Sequence, residues 1–247
     1  ASAFCTTSGT DAVVLTGTMG GVFSVAPIGL TIDPGTGAID PSSSVAGSYT
    51  VTYVLAANGT CPAFSTAADV DIIAPPSAGN DASVTICDSG VPAALFPELV
   101  GAQAGGTWTA PGGGAFNGTY DPALNTGGAY TYSVNGSAPC PSDQATVTVN
   151  ETGSPDAGTD GALAVCADGV ATSLFAALGG APQPGGTWTA PDGAPHSGSI
   201  DPGNDPAGVY LYTLSATAPC VSDESQVTVT INAAPDAGTD GAITVCD

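Results

Sequence analysis

Short runs of alternating apolar and polar residues mark this chain from end to end. Tyr49, Val51 and Tyr53 fall on one face of an extended segment, with Thr50 and Thr52 on the other. Ala145, Val147 and Val149 alternate in the same way with Thr146 and Thr148, and Val227 and Val229 with Gln226, Thr228 and Thr230. A period of two is that of a strand with one buried face, and Val, Thr and Tyr pack well on such a surface. Turn residues interrupt the runs at close intervals, at Asn58-Gly59, from Pro111 to Gly114 and at Asp192-Gly193. Short strands separated so often by turn signals predict an all-β sandwich. The exception is Leu95-Phe96 and its relative Leu174 to Leu178, which reads as a short helical turn.

The pattern repeats. Gly105 to Pro111 (Gly-Gly-Thr-Trp-Thr-Ala-Pro) returns unchanged as Gly185 to Pro191, and Asp156 to Ala162 returns as Asp236 to Ala242. Ala138-Pro139-Cys140 with Ser142-Asp143 returns as Ala218-Pro219-Cys220 with Ser222-Asp223. The shift is identical in all three, from Gly105 to Gly185, from Asp156 to Asp236 and from Cys140 to Cys220. A shared Asp-Pro, Gly, Tyr frame begins at Asp40, Asp121 and Asp201, so the segment 1–75 is a divergent third copy. Fixed self-similarity of this kind signals a tandem array. Pro-rich joints then predict repeats at 1–75, 76–154 and 155–234, and 235–247 as the first strand of a further, truncated repeat. On this reading the chain is cut from a longer array. The Gly-x-Tyr-x-Tyr strand resembles the tyrosine corner of immunoglobulin-like sandwiches, with Tyr49, Tyr130 and Tyr210 as its candidates and Trp108 and Trp188 as core anchors.

Charge narrows the function. The chain has 247 residues with no Lys or Arg, 22 Asp plus Glu and one His, a formal net charge of -22. Nucleic-acid binding needs cations to displace counterions around phosphates, so that class is excluded. Schiff-base lysines, arginine fingers and adhesion to anionic lipid heads are excluded for the same reason. Hydrophobic residues still make up 43% of the chain, well above what an acidic disordered tail carries. No apolar run reaches the ~18 residues of a membrane span.

Seven cysteines stand at 5, 61, 87, 140, 166, 220 and 246, two in each complete repeat. The spacing from first to second cysteine is nearly the same in every repeat. Pairing within repeats is therefore the simplest expectation: Cys5–Cys61, Cys87–Cys140 and Cys166–Cys220. Cys246 then awaits a partner outside the chain. Zinc ligands are ordinarily spaced more closely than this. Each such disulfide would close a loop worth about 4 kcal/mol in the chain-entropy model, and would place the protein outside the reducing cytosol.

Catalytic chemistry finds little support. His196 lies in a turn-like stretch with no counterpart in the preceding repeat, so a Ser/His/Asp arrangement would lack its base there. The chain is therefore read as non-enzymatic, with no organic cofactor. The acidic residues about the joints, Asp81, Asp156, Asp160, Asp236 and Asp240, are candidate calcium ligands, and Asp143 and Asp223 stand where they could approach a joint. The competing reading is turn chemistry, with each Asp capping its own backbone ahead of a Gly.

Several features together resemble a repeat common in giant surface proteins of Bacteroidota. They are Phe23, Pro27, Gly29-Leu30, Ile32-Asp33, Ile39-Asp40-Pro41, the Tyr49 strand and Cys61-Pro62, with the Gly-Gly-Thr-Trp and Ala-Pro-Cys units. Such proteins are typically exported by the type IX system and include gliding adhesins and hook-like appendages. The resemblance implies a non-catalytic structural segment of an extracellular filament or adhesin, assembling as a homo-oligomer. Two alternatives stay open: a glycan- or protein-binding module, for which Phe116 and Tyr120 are the aromatic candidates, and the spacer of a secreted enzyme.

Overall fold

The computed structural model describes all residues except Ala1, Val13, Ala237, Thr239 and 242–247. The chain forms tandem immunoglobulin-like β-sandwiches. Repeat 1 contains β1 (Ser2–Cys5), β2 (Val22–Ala26), β3 (Thr31–Ile32), β4 (Ile39–Asp40), β5 (Gly47–Leu55) and β6 (Phe64–Ile73). Repeat 2 contains β7 (Ala82–Cys87), β8 (Ala93–Ala94), β9 (Thr107–Thr109), β10 (Ala115–Phe116), β11 (Thr119–Tyr120), β12 (Gly128–Val134) and β13 (Asp143–Thr152). Repeat 3 contains β14 (Gly161–Cys166), β15 (Thr172–Ser173), β16 (Thr187–Thr189), β17 (Pro195–His196), β18 (Ser199–Ile200), β19 (Gly208–Leu214) and β20 (Asp223–Asn232). The helical signals at Leu95 and Leu174 become single 3-10 turns, Phe96–Glu98 and Phe175–Ala177.

The larger sheets run β1-β6-β5-β2, β10-β9-β12-β13-β7 and β14-β20-β19-β16-β17, each faced by a two-stranded ribbon, β3-β4, β11-β8 or β15-β18. A long antiparallel hairpin (β5-β6, β12-β13, β19-β20) is the centre of each larger sheet. The first strand of repeats 1 and 3 lies parallel to the last strand of its own repeat, with Cys5 opposite Ile73 and Cys166 opposite Asn232. By compactness the chain divides into two units, one of residues 1–84, 92–121 and 125–150, the other of 85–91, 122–124 and 151–247.

The alternation seen in the sequence becomes the core. Tyr49, Val51 and Tyr53 are buried against Phe23, Leu30, Ile39, Val70 and Ile72 in repeat 1. In repeat 3, Tyr210, Tyr212, Val227 and Val229 enclose Leu174, Trp188 and Ile200. Trp108 and Trp188 lie against Tyr132 and Tyr212 with ring centroids 5.0 Å apart, and Phe23 takes the same place against Tyr53 at 4.6 Å.

Both tyrosines of each of these strands, Gly-x-Tyr-x-Tyr in repeats 2 and 3 and Gly-x-Tyr-x-Val-x-Tyr in repeat 1, are tied by their hydroxyls. The first donates to the carbonyl four residues back: Tyr49 to Val45 O at 2.6 Å, Tyr130 to Thr126 O and Tyr210 to Pro206 O at 2.8 Å. The second is bonded twice. Tyr132 Oη donates to Gln103 O at 2.8 Å and accepts from Gly106 N at 2.7 Å, and Tyr212 does the same with Gln183 O and Gly186 N. This explains the second glycine of Gly-Gly-Thr-Trp. A Cβ on Gly106 would meet the Tyr132 ring at 2.5 Å, and one on Gly186 the Tyr212 ring at 2.6 Å.

Candidate functional site: the disulfide junctions between repeats

Among the described residues two disulfides form, and neither is within a repeat. Cys5 bonds Cys140 and Cys87 bonds Cys220, with Cα–Cα distances of 5.0 Å. The expected pairs Cys5–Cys61, Cys87–Cys140 and Cys166–Cys220, one inside each sandwich, are corrected: Cys61 and Cys166 are free and exposed. Cys246 lies outside the described residues.

Strand direction is the reason. Cys5 sits at the end of β1, beside Ile73 at the far end of β6. Cys61 precedes Phe64, the first residue of β6. A ten-residue strand separates those ends by about 30 Å, whereas a disulfide needs Cα atoms within about 7 Å. The same length of β20 separates Cys166 from Cys220. The two cysteines of a repeat thus occupy opposite ends of its sandwich. The second cysteine of one repeat meets the first cysteine of the repeat before it.

Each junction is built from the same parts. The residue after the first cysteine donates its N–H to the last carbonyl of its own final strand: Thr6 to Ile73 O at 2.9 Å, Asp88 to Thr152 O at 3.0 Å, Ala167 to Asn232 O at 2.8 Å. That carbonyl also lies against the incoming sulfur, with Cys140 Sγ 3.3 Å from Ile73 O and Cys220 Sγ 3.3 Å from Thr152 O. The hairpin tip delivering the sulfur is closed by Cys140 N to Ser137 O at 2.8 Å and Cys220 N to Thr217 O at 3.0 Å. Three residues on, the hairpin clamps its own joint. Asp143 Oδ2 accepts the N–H of fully buried Ala78 at 2.8 Å, and Asp223 Oδ2 that of Ala157 at 2.8 Å.

Glutamine completes the clamp. Gln103 donates its N–H to Ser77 O at 2.8 Å, and its side-chain oxygen accepts Ser77 N at 3.2 Å. Gln183 holds Asp156 by the same two bonds. Neither glutamine is among the residues singled out above. Their signal was a shared position two residues before Gly-Gly-Thr-Trp, at Gln103 and again at Gln183. Asp88 adds a further tie, accepting Ser154 N at 2.8 Å. Hydrogen bonds from the Ser154 hydroxyl and N–H hold the Asp88 carboxyl below its ordinary pKa.

The candidate calcium residues are dispersed among backbone donors. Asp81 accepts Thr146 N at 2.8 Å, Asp156 accepts Gly158 N at 2.8 Å, and Asp236 accepts Gly238 N at 2.8 Å. Asp160 takes both the N–H and the side-chain amide of Gln226. Asp240 is exposed. Among the described residues, the ligand-type side chains gathered closely enough for one ion are Cys87, Asp88 and Cys220, and those two sulfurs are bonded to each other.

His196 is in strand β17 rather than a turn. It takes the place of Phe116, packs on Tyr210 at 4.8 Å and approaches Asp205 Oδ2 at 3.4 Å. Asp205 is held below its ordinary pKa, first by the Asp201 N–H and then by His196. The aromatic candidates for a binding surface also turn inward. Tyr120 is fully buried, and Phe116 packs between Trp108 and Tyr130.

No family model and no curated protein matches this chain. Among solved structures it is similar to a three-Ig fragment of titin, at TM-score 0.44 and 13% identity, covering 94% of this chain and 95% of that one. Extracellular domains 3–5 of Drosophila OTK match at TM-score 0.33 and 16% identity over 83% of this chain and 79% of that one. Immunoglobulin domains 1–4 of Sidekick-1 match at TM-score 0.26 and 15% identity over 91% and 69%.

Proposed function

We propose that the chain is a non-catalytic, load-bearing segment of an extracellular filament or adhesin, with repeats at 1–75, 76–154 and 155–234. The observation that carries this reading is the stagger of the disulfides, Cys5–Cys140 and Cys87–Cys220. A disulfide inside a sandwich stabilises that sandwich alone. One that ties a repeat to the next hands tension across the joint through a covalent bond.

Disulfides persist in oxidising compartments, which favours an extracellular location. No helix among the described residues is long and apolar enough to cross a membrane. The inward packing of Tyr120 and Phe116 removes the feature that favoured a glycan-binding module. Immunogold electron microscopy with antibodies to residues 76–234 tests the proposal. Label along fibres outside the cell is the expected result, and label confined to the cell interior overturns it.

A further inference from the structure

The surroundings of Cys166 repeat those of Cys5 and Cys87 bond for bond. Thr6 N, Asp88 N and Ala167 N donate to the last carbonyls of their own final strands, Ile73 O, Thr152 O and Asn232 O. Three residues past each cysteine an N–H closes back on its carbonyl: Ser8 N to Cys5 O at 2.8 Å, Gly90 N to Cys87 O and Gly169 N to Cys166 O at 2.9 Å. At Cys5 and Cys87 this frame receives the second cysteine of the following repeat, whose sulfur lies 3.3 Å from Ile73 O or Thr152 O. Cys166 has the same frame and a free, exposed thiol. The sequence after it opens a further repeat: Pro235 to Ala242 is identical to Pro155 to Ala162, and Cys246 follows where Cys166 does. The joint is built alike as well, with Asp236 Oδ1 accepting Gly238 N at 2.8 Å as Asp156 Oδ1 accepts Gly158 N at 2.8 Å.

From this we infer that Cys166 is a covalent docking site for the second cysteine of the repeat that opens at Pro235, delivered on a hairpin tip of the Ala-Pro-Cys-x-Ser-Asp kind that carries Cys140 and Cys220. Cys246 is not that partner. It is the first cysteine of its repeat, and each closed junction joins a first cysteine to a second. Two thiols lose two protons and two electrons to a small-molecule disulfide, which is reduced to two thiols while the new S–S bond forms by thiolate exchange. The inference rests on the junction geometry and stands apart from the cellular role proposed above. A failure of immunolabelling leaves it intact, and its own failure is read by peptide mapping.

The experiment compares the full chain with the same chain continued after Asp247 by residues 168–234, which supply the rest of a repeat and a single further cysteine. Both are reduced and then oxidised in a glutathione redox buffer. Adding that cysteine is expected to lower the number of alkylatable thiols by one. Mapping with an acid-residue-directed protease (trypsin finds no Lys or Arg) is expected to show Cys166 bonded to the added cysteine. In the Cys166→Ser variant of the extended chain the added cysteine should become alkylatable, and because position 166 is exposed the fold is retained. A second extension, by residues 89–154, presents the same kind of tip on a different sandwich and should capture Cys166 equally. Cys166 still alkylatable in both extended chains overturns the proposal. So does an added cysteine bonded to Cys246 within its own repeat, or to Cys61.

Discussion

Pulling on the chain reads its covalent connectivity directly. With handles at the two ends and every sandwich unfolded, tension follows the shortest covalent path. Between Cys5 and Cys220 that path crosses the first disulfide to Cys140, runs backwards to Cys87, and crosses the second disulfide to Cys220. The backward run is about 53 residues, and at about 3.6 Å per extended residue it spans about 190 Å. Reduction opens the whole stretch of about 215 residues, a gain of about 580 Å.

The informative perturbation is the double variant Cys87→Ser/Cys220→Ser, which deletes one bond and leaves no loose thiol from it. The path then runs from Cys140 forward to position 220, about 80 residues, so the contour lengthens by about 100 Å. Bonds inside the repeats would give a different answer, because the same variant would break two of them and release about 390 Å. Optical-tweezer or atomic-force extension curves resolve these values. A gain of that larger size, or none at all, would refute the staggered connectivity.

Other expectations follow from the same geometry. Gly106→Ala should cost about 1–3 kcal/mol in denaturant titration, because its Cβ would collide with the Tyr132 ring. Gly114→Ala, with open space around the new Cβ, is the control and should leave stability nearly unchanged. Tyr210→Phe should cost about 0.5–1.5 kcal/mol through loss of the bond to Pro206 O, read as a lowered unfolding midpoint. Asp33, Asp40, Asp88 and Asp205 all have depressed pKa values in the fold, from the Thr36 N–H, the Ser42 hydroxyl, Ser154 and the Asp201 N–H respectively. Their stabilisation is present above the ordinary Asp value of 3.8 and is lost as pH falls through their lower folded values, so melting temperature should drop in that acid range. Tyr210 is raised by burial, so its contribution is complete below pH 10.0 and fades as pH climbs through the raised value. Chelation of calcium should leave the melting temperature of the isolated chain unchanged, since its joint carboxylates already accept backbone N–H groups. A rise on adding calcium would contradict that.

The sandwich was legible because its evidence is local. Tyr49-Val51-Tyr53 and Val227-Val229 alternate within a few residues, and burial follows that alternation. Disulfide partners were not legible, because a tandem array conceals them. Moving the partner of Cys87 by one repeat, from Cys140 to Cys220, leaves the pattern along the chain untouched. Only the end of the sandwich at which each cysteine stands decides between the two, and that requires knowing that β1 runs parallel to β6. Gln103 and Gln183 escaped notice for a related reason. Their bonds reach back 26 and 27 residues to a joint, a distance at which periodicity carries no information. His196 looked like a turn residue because Gly and Pro surround it, yet the strand pairing with Trp188 turns it onto Tyr210.

The two covalent loops, 5–140 and 87–220, overlap across residues 87–140. Every peptide bond from Cys5 to Cys220 therefore lies inside at least one ring. A single protease cut anywhere in that span leaves one connected molecule. Two cuts, one in each of any two of the stretches 5–87, 87–140 and 140–220, still do not part it. Bonds confined to each repeat would have left the joints at Pro75-Pro76 and Ser154-Pro155 as lone threads, where one nick severs the array. Moving each bond by one repeat, with no additional cysteine, turns a string that fails at its weakest link into a mesh that tolerates damage.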